Sequence, residues 1–210
     1  MPGAEPSLTE HGDGITAIDT DLLRPQFDAC HLVTAGERAA FVDSGVNASV
    51  PLFLATLEQK GIDPAAVDYL FLTHVHLDHA GGAGLLMQSL PNAKAVLHPR
   101  GAPHMIDPDK LIRGAMAVYG EDAYRAMYGD ILAIPEDRVI VAEDRQAFTF
   151  GGRSFVSVFT EGHARHHHCF HDPDSASVFT GDSFGLSYRE LDTEQGEFIY
   201  PTTTPVHFDP

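Results

Sequence analysis

Residues 73–82 read THVHLDHAGG, and no other stretch restricts the fold and chemistry of this chain as much. Six consecutive positions hold His74, His76, Asp78 and His79, and Gly81 and Gly82 follow. In an extended segment residues i and i+2 point to the same side, so His74 and His76 face one point from the end of a strand. Asp78 and His79 come where the chain turns into a helix, and they are expected to face a second point beside the first. The two glycines let the helix start lie close to the sheet edge. Imidazole and carboxylate together suit a borderline divalent cation: zinc, and equally iron or manganese. A polar loop that happens to collect histidines is the plain alternative. Four ligand-type side chains at these spacings argue against it.

The surroundings supply the strand and the helix. Residues 67–73 (VDYLFLT) are continuously apolar, as in a strand buried on both faces, and 80–90 read as a helix. Upstream, 14–20 form a strand candidate, and 30–34 and 39–43 form two more around a turn at Gly36-Glu37. Residues 49–61 have apolar residues at helical spacing, with Asn47 or Ser49 as cap, Pro51 in the first turn and Gly61 at the end. Strands are expected at 93–98, 138–142, 146–150, 153–160, 166–172 and 175–182, with a hairpin turn at Gly151-Gly152. Strand and helix alternate in the first half, which predicts a layered α/β structure. Residues 103–135, rich in Met, Tyr and Ala, interrupt that rhythm. They read as two short helices broken near Gly120: either a surface insertion with one apolar face, or a lid whose Met105, Met116, Tyr119 or Tyr124 reaches a nearby pocket.

Composition excludes some partners. The 210 residues suffice for one substantial core. A formal net charge of −17 argues against nucleic acid and anionic membrane surfaces, which are bound through Lys and Arg. No apolar run is long enough to span a bilayer. The first 14 residues are polar and acidic, unlike a secretory signal. Cys30 and Cys169 alone do not make a disulfide framework. A cytoplasmic protein with a small-molecule substrate is the default expectation. Oligomeric state is not legible.

THVHLDHAGG resembles the H-x-H-x-D-H signature of the metallo-β-lactamase superfamily. Three further segments resemble that family in order along the chain: AAFVDSG, ending at Asp43 to Gly45; TEGHARHH, containing His163; and VFTGDSF, containing Asp182. The resemblance implies an αββα sandwich over 1–210, two facing mixed sheets with helices outside and a metal site at one edge. It implies two divalent metal ions. His74, His76 and His163 would hold the first, Asp78 and His79 the second, and Asp182 would bridge them. Asp43 would orient ligands by hydrogen bonds, or else merely cap the turn at Ser44-Gly45. The family's seventh ligand is a late histidine that follows a helix and a strand. Here only His207 comes after Asp182, and the closing FDP reads as a helix start with Asp209 as cap. The expectation is a chain that stops short of the family's C-terminal helix and strand, with His207 as a substitute ligand the other reading.

Two cations close together make a bridging water reactive near neutral pH. The expected activity is hydrolysis of a small ester, lactone, thioester or amide, with Asp78 or Asp182 orienting the nucleophile or shuttling its proton. Phe184, Tyr188 and Arg189 are the expected substrate contacts, and Tyr188 could donate to a developing oxyanion or simply pack its loop. Of His166, His167 and His168, one, His167 foremost, is expected beside the site and at least one in solvent. Cys169 reads as a small core residue. Two other classes stay open. One is an iron-dependent redox enzyme on the same scaffold, a persulfide dioxygenase or an oxygen-binding di-iron protein; relatives of the second kind tend to carry glutamate where His76 stands. The other is a non-catalytic metal-binding scaffold.

Overall fold

Alternation along β4 shows how the layers form. This strand (Arg38–Val42) sends Ala39 and Phe41 to one side and Ala40 and Val42 to the other, and all four are buried. Phe41 packs with Phe53, Leu57, Leu70 and Leu86 in a core between sheet and helices. Ala40 and Val42 join Phe71, Phe148, Phe155, Phe170 and Phe179 in a second core between two sheets. A strand with two buried faces must be covered on both.

A computed structural model describes residues 5–200 and residue 202. The first sheet has seven strands in sequence order: β1 (Leu8–Gly12), β2 (Ile15–Asp19), β3 (Ala29–Ala35), β4, β5 (Val67–Phe71), β6 (Lys94–Leu97) and β7 (Val139–Val141). Pairs from β1 to β4 are antiparallel, and those from β4 to β7 are parallel. Parallel neighbours need crossovers. These carry α1 (Val50–Gln59), α2 (Leu77–Ala80), α3 (Ala83–Ser89), α4 (Ala102–Ile106), α5 (Asp109–Tyr119) and α6 (Glu121–Tyr128). The second sheet is β8 (Ala147–Phe150), β9 (Arg153–Phe159), β10 (His168–Asp172) and β11 (Ser177–Phe179), in the order β11-β10-β9-β8. It is antiparallel throughout rather than mixed, because its strands follow one another by short reversals. The two facing sheets of the αββα sandwich and one of its outer helix layers are therefore present, with α1 and α3 packed on the outer face of the seven-stranded sheet.

Several local expectations shift. β1 was not expected: LTEHG has no apolar alternation, and the strand is held at the sheet edge by backbone pairing, with most of its residues exposed. The helix expected over 80–90 is two helices, α2 and α3, interrupted at Gly81-Gly82. Ser49 stands at the cap position of α1 but its side chain makes no cap hydrogen bond, and Asn47 lies one turn earlier. Asn47 Nδ2 instead donates to the carbonyls of Tyr128 and Asp130, at 3.3 and 2.7 Å, and Ser49 Oγ donates to Thr20 O at 2.8 Å. Both side chains tie neighbouring segments together. Residues 103–135 contain α5 and α6, broken at Gly120 as the sequence suggests, and most of α4 as well. His207 and the FDP segment lie outside the described residues.

The closing hairpin of the second sheet shows one glycine requirement. Gly151 and Gly152 both have positive φ (55° and 86°) between paired Phe150 and Arg153. A Cβ on Gly151 would run into the carbonyl of Ala35 in the opposite sheet. Among the described residues, no helix is long and apolar enough to cross a membrane.

Candidate metal centre

The site forms where four strands of the sandwich end, β4, β5, β9 and β11. Asp43 follows β4 with a φ of 61°, and its backbone N–H donates to Phe71 O at 2.8 Å. Its carboxylate is 4% exposed and accepts from Thr73 N (2.8 Å), Thr73 Oγ1 (2.8 Å) and His79 Nδ1 (2.9 Å). A turn cap would not make these bonds; Asp43 is the group that fastens the end of β5 to α2.

Proton counting then fixes two imidazoles. A carboxylate can only accept, so the single Thr73 hydroxyl proton goes to Asp43 and Thr73 Oγ1 must accept from His74 Nδ1, 3.1 Å away. His74 Nε2 is left with a lone pair. His79 likewise donates Nδ1–H to Asp43, which turns its Nε2 toward Asp182 Oδ1 at 3.0 Å. Outer partners of this kind set the tautomer and direction of a ligand ring.

Three ring nitrogens converge on one point. His76 Nδ1 lies 3.1 Å from His74 Nε2 and 3.0 Å from His163 Nε2. His74, His76 and His163 form one group with donor atoms within 4.8 Å of one another; His74, His79 and Asp182 form a second. His163 Nε2 is also 3.6 Å from Asp182 Oδ2, so the Asp182 carboxylate of the second group also reaches the first, and His74 belongs to both. Burial, together with the neighbouring imidazoles, pushes His74 well down, His76 to about 4 and His163 down, which keeps the three rings neutral. Neutral imidazole is the metal-ligating form. Burial alone would raise the Asp182 carboxyl, but His79 beside it outweighs that and holds it at about 2. Burial opposes charge on His79 as well, yet Asp182, Asp43 and Asp78 raise it well above its ordinary value. The pocket thus favours positive charge beside a neutral three-imidazole face, and the donor set fits divalent cations.

Asp78 stands at the rim. Its Oδ2 is 4.0 Å from His79 Nε2, its side chain is 40% exposed, and it belongs to neither group. His167 is fully buried, its ring centre 5.0 Å from that of His74. Contrary to expectation none of His166, His167 and His168 is exposed: His166 Nδ1 accepts from Val75 N, and His168 bridges Ser157 Oγ and Leu72 O. His167 and His168 are buried where the second sheet meets the end of β5, and His166 is half-buried beside them. Tyr188 stacks on Phe27 at 5.8 Å with the Arg24 guanidinium over its ring, so its contacts are those of a loop-packing residue. Phe184 is 60% exposed, and the Arg189 side chain falls outside the described residues.

Two neighbours of the site had not been expected there. Asp28 accepts from Thr20 Oγ1 at 2.8 Å; burial, with Asp78 and Asp43 adding to it, pushes its carboxyl up to about 6. Tyr128, on α6, is buried in one apolar cluster with Leu22, Val46 and Leu77, the residue between His76 and Asp78. Burial and the Asp78 charge push its hydroxyl well above the ordinary tyrosine value. The i, i+4 spacing of Tyr124 and Tyr128 was the available signal. Of the four side chains expected to reach a pocket, Met105 belongs to the main core and Tyr119 is half exposed.

The glycines after the motif are constrained by close approach. A Cβ on Gly82 would stand 2.7 Å from Ser44 O and 2.8 Å from Val46 O. Gly82→Ala is expected to destabilise the protein by about 1–3 kcal/mol, read as a lowered Tm in thermal unfolding. An unchanged Tm would show that the start of α3 can move away from the Ser44 and Val46 carbonyls.

A family model of the metallo-beta-lactamase superfamily matches residues 23–207. The chain belongs to the metallo-beta-lactamase superfamily. It is 30% identical to the metallo-beta-lactamase fold-containing protein ST1585 of Sulfurisphaera tokodaii, over 87% of this chain and 64% of that one. The solved structure of ST1585 from Sulfolobus tokodaii superposes with a TM-score of 0.73 at 29% identity, covering 93% of this chain and 71% of that chain. An atrochrysone carboxyl ACP thioesterase of Aspergillus fumigatus is 31% identical over 56% of this chain and 27% of its own length. The N-acyl homoserine lactonase AttM of Azorhizobium caulinodans is 28% identical over 56% of this chain and 40% of its own. The chain therefore spans less than two thirds of the length of each of these curated relatives.

Proposed function

We propose that this superfamily member is a binuclear metallo-hydrolase that cleaves a small ester, lactone or thioester. The observation that carries the reading is the meeting of His74 Nε2, His76 Nδ1 and His163 Nε2 beside the Asp182 carboxylate and His79. His74, His76 and His163 would hold one ion and His79 the other, with Asp182 shared and Asp78 reaching in from the rim. Imidazole and carboxylate donors make zinc the proposed metal. When bound, such a pair acidifies water and polarises a carbonyl. The protein's own part is positional. Asp43 fixes the direction of His79 and, through Thr73, of His74. The exposed carboxylate of Asp78 is placed to take a proton from the incoming water and return it to the leaving group. The names of the thioesterase and lactonase relatives support acyl-oxygen and acyl-sulfur substrates, and the net charge of −17 speaks against nucleic acid.

The test is a panel of thioester, lactone, ester and β-lactam substrates before and after chelation. Turnover of at least one acyl substrate is expected, abolished by 1,10-phenanthroline and restored by zinc, with Tm falling and recovering in parallel. Turnover indifferent to chelator would refute the metal role. Iron content with oxygen uptake would replace hydrolysis by redox chemistry.

A further inference from the structure

Behind Asp182 lies a polar cluster that hydrolysis leaves unused. Its members are Thr160 after β9, His167, Cys169 on β10, and Ser183 in the short turn 181–183 that carries Asp182. Thr160 Oγ1 is 2.8 Å from His167 Nδ1 and 3.4 Å from Cys169 Sγ. Cys169 Sγ is 3.3 Å from Ser183 Oγ, which donates to Thr180 O at 2.9 Å. Protons can be assigned along this path. Ser183 spends its hydrogen on the Thr180 carbonyl, so the Cys169 thiol is the donor, to Ser183 Oγ or to that same carbonyl 3.6 Å away. The thiol has then spent its own and accepts from Thr160. Thr160 in turn accepts from His167 Nδ1–H. The opposite direction would place the ring proton on His167 Nε2, which is buried without an acceptor, and an unpaired buried donor is costly.

Both ends of the path touch the turn. One is the Thr180 carbonyl. The other is His167 Nε2, which would stand 2.9 Å from a Cβ on Gly181, with Thr73 Oγ1 at 2.5 Å; Gly181 has a φ of 46°. We infer that His167, Thr160, Cys169 and Ser183 form a one-way hydrogen-bond chain that clasps this turn and positions the Asp182 carboxylate. Cys169 is thus a positioning residue, more than filler in a strand. The inference rests on the reading of Asp182 as a shared metal ligand.

Two measurements test it. Long-range 1H–15N histidine spectra of metal-free wild type are expected to show His167 as the Nδ1–H tautomer; an Nε2–H tautomer overturns the chain. Zinc titrations of Cys169→Ala and Thr160→Val are expected to weaken the more weakly bound ion about 10–100-fold, the range for outer partners of ligands. The ion held by three imidazoles should change by no more than about threefold. Cys169→Ser should recover most of the loss. Equal weakening of both ions, the sign of general unfolding, or no weakening at all, overturns the positioning role. Wild type that takes up no zinc would instead sink the proposed function, while the tautomer, read without metal, still decides the chain.

Discussion

Asp182→Ala is expected to lower turnover by more than about 100-fold, beyond the range for groups that only orient a ligand, and to reduce bound zinc from two ions per chain to one or fewer. The reason is its placement. Its carboxylate oxygens lie 3.0 Å from His79 Nε2 and 3.6 Å from His163 Nε2, so one side chain links the two donor groups. His74, His76 and His163 remain when it is gone, and they can still hold one ion. Asp78→Ala should behave differently, because Asp78 stands at the rim: kcat falls while most of the metal is kept. Steady-state kinetics with elemental analysis separates the two. Full activity in Asp182→Ala would remove the shared-ligand role.

Asp172→Ala should have the largest effect on stability, about 3–5 kcal/mol, because it leaves a buried guanidinium without its partner. Arg153 donates to Asp172 from Nε and Nη2, and its Nη1 reaches Asp13 O across the two sheets. Asp172 is fully buried and Arg153 is 8% exposed. Replacing both by apolar residues of similar size should cost much less than the single change. The pair also sets part of the acid response. Burial would raise the Asp172 carboxyl, but hydrogen bonds from Arg153 and Ser175 outweigh it and hold it below its ordinary value of 3.8. A depressed folded-state pKa stabilises at pH above the unfolded value and is lost as pH falls through the folded one. The gap between wild type and Asp172→Ala in urea unfolding should therefore be full above about pH 4 and narrow below it. A gap that stays constant down to pH 3 would mean that the carboxylate is not the source.

The metal centre was more legible in the sequence than its surroundings, for a physical reason. His74 and His76 lie on one strand end, so local periodicity alone predicts that they meet, and the turn that follows predicts His79 at a second point beside them. His163 and Asp182 join them from the second sheet, and only the family resemblance supplied that long-range pairing. Asp28 carried no such signal, and Tyr128 only its i, i+4 spacing from Tyr124. Their approach to Asp78 depends on how the 20–28 loop and α6 fold over Leu77. Tyr188 illustrates the reverse case: proximity in sequence to Asp182 suggested a substrate contact, while its ring is taken up by Phe27 and Arg24. The unexpected β1 follows from an edge strand that needs only backbone partners. The missed role of Asn47 and Ser49 follows from tertiary partners that outcompete capping.

Zinc-edge anomalous diffraction from crystals grown with zinc tests the reading of the centre most directly. Two peaks are expected, one among His74 Nε2, His76 Nδ1 and His163 Nε2, the other between His79 Nε2 and Asp182. A zinc-saturated crystal with no peak at these five side chains would contradict it.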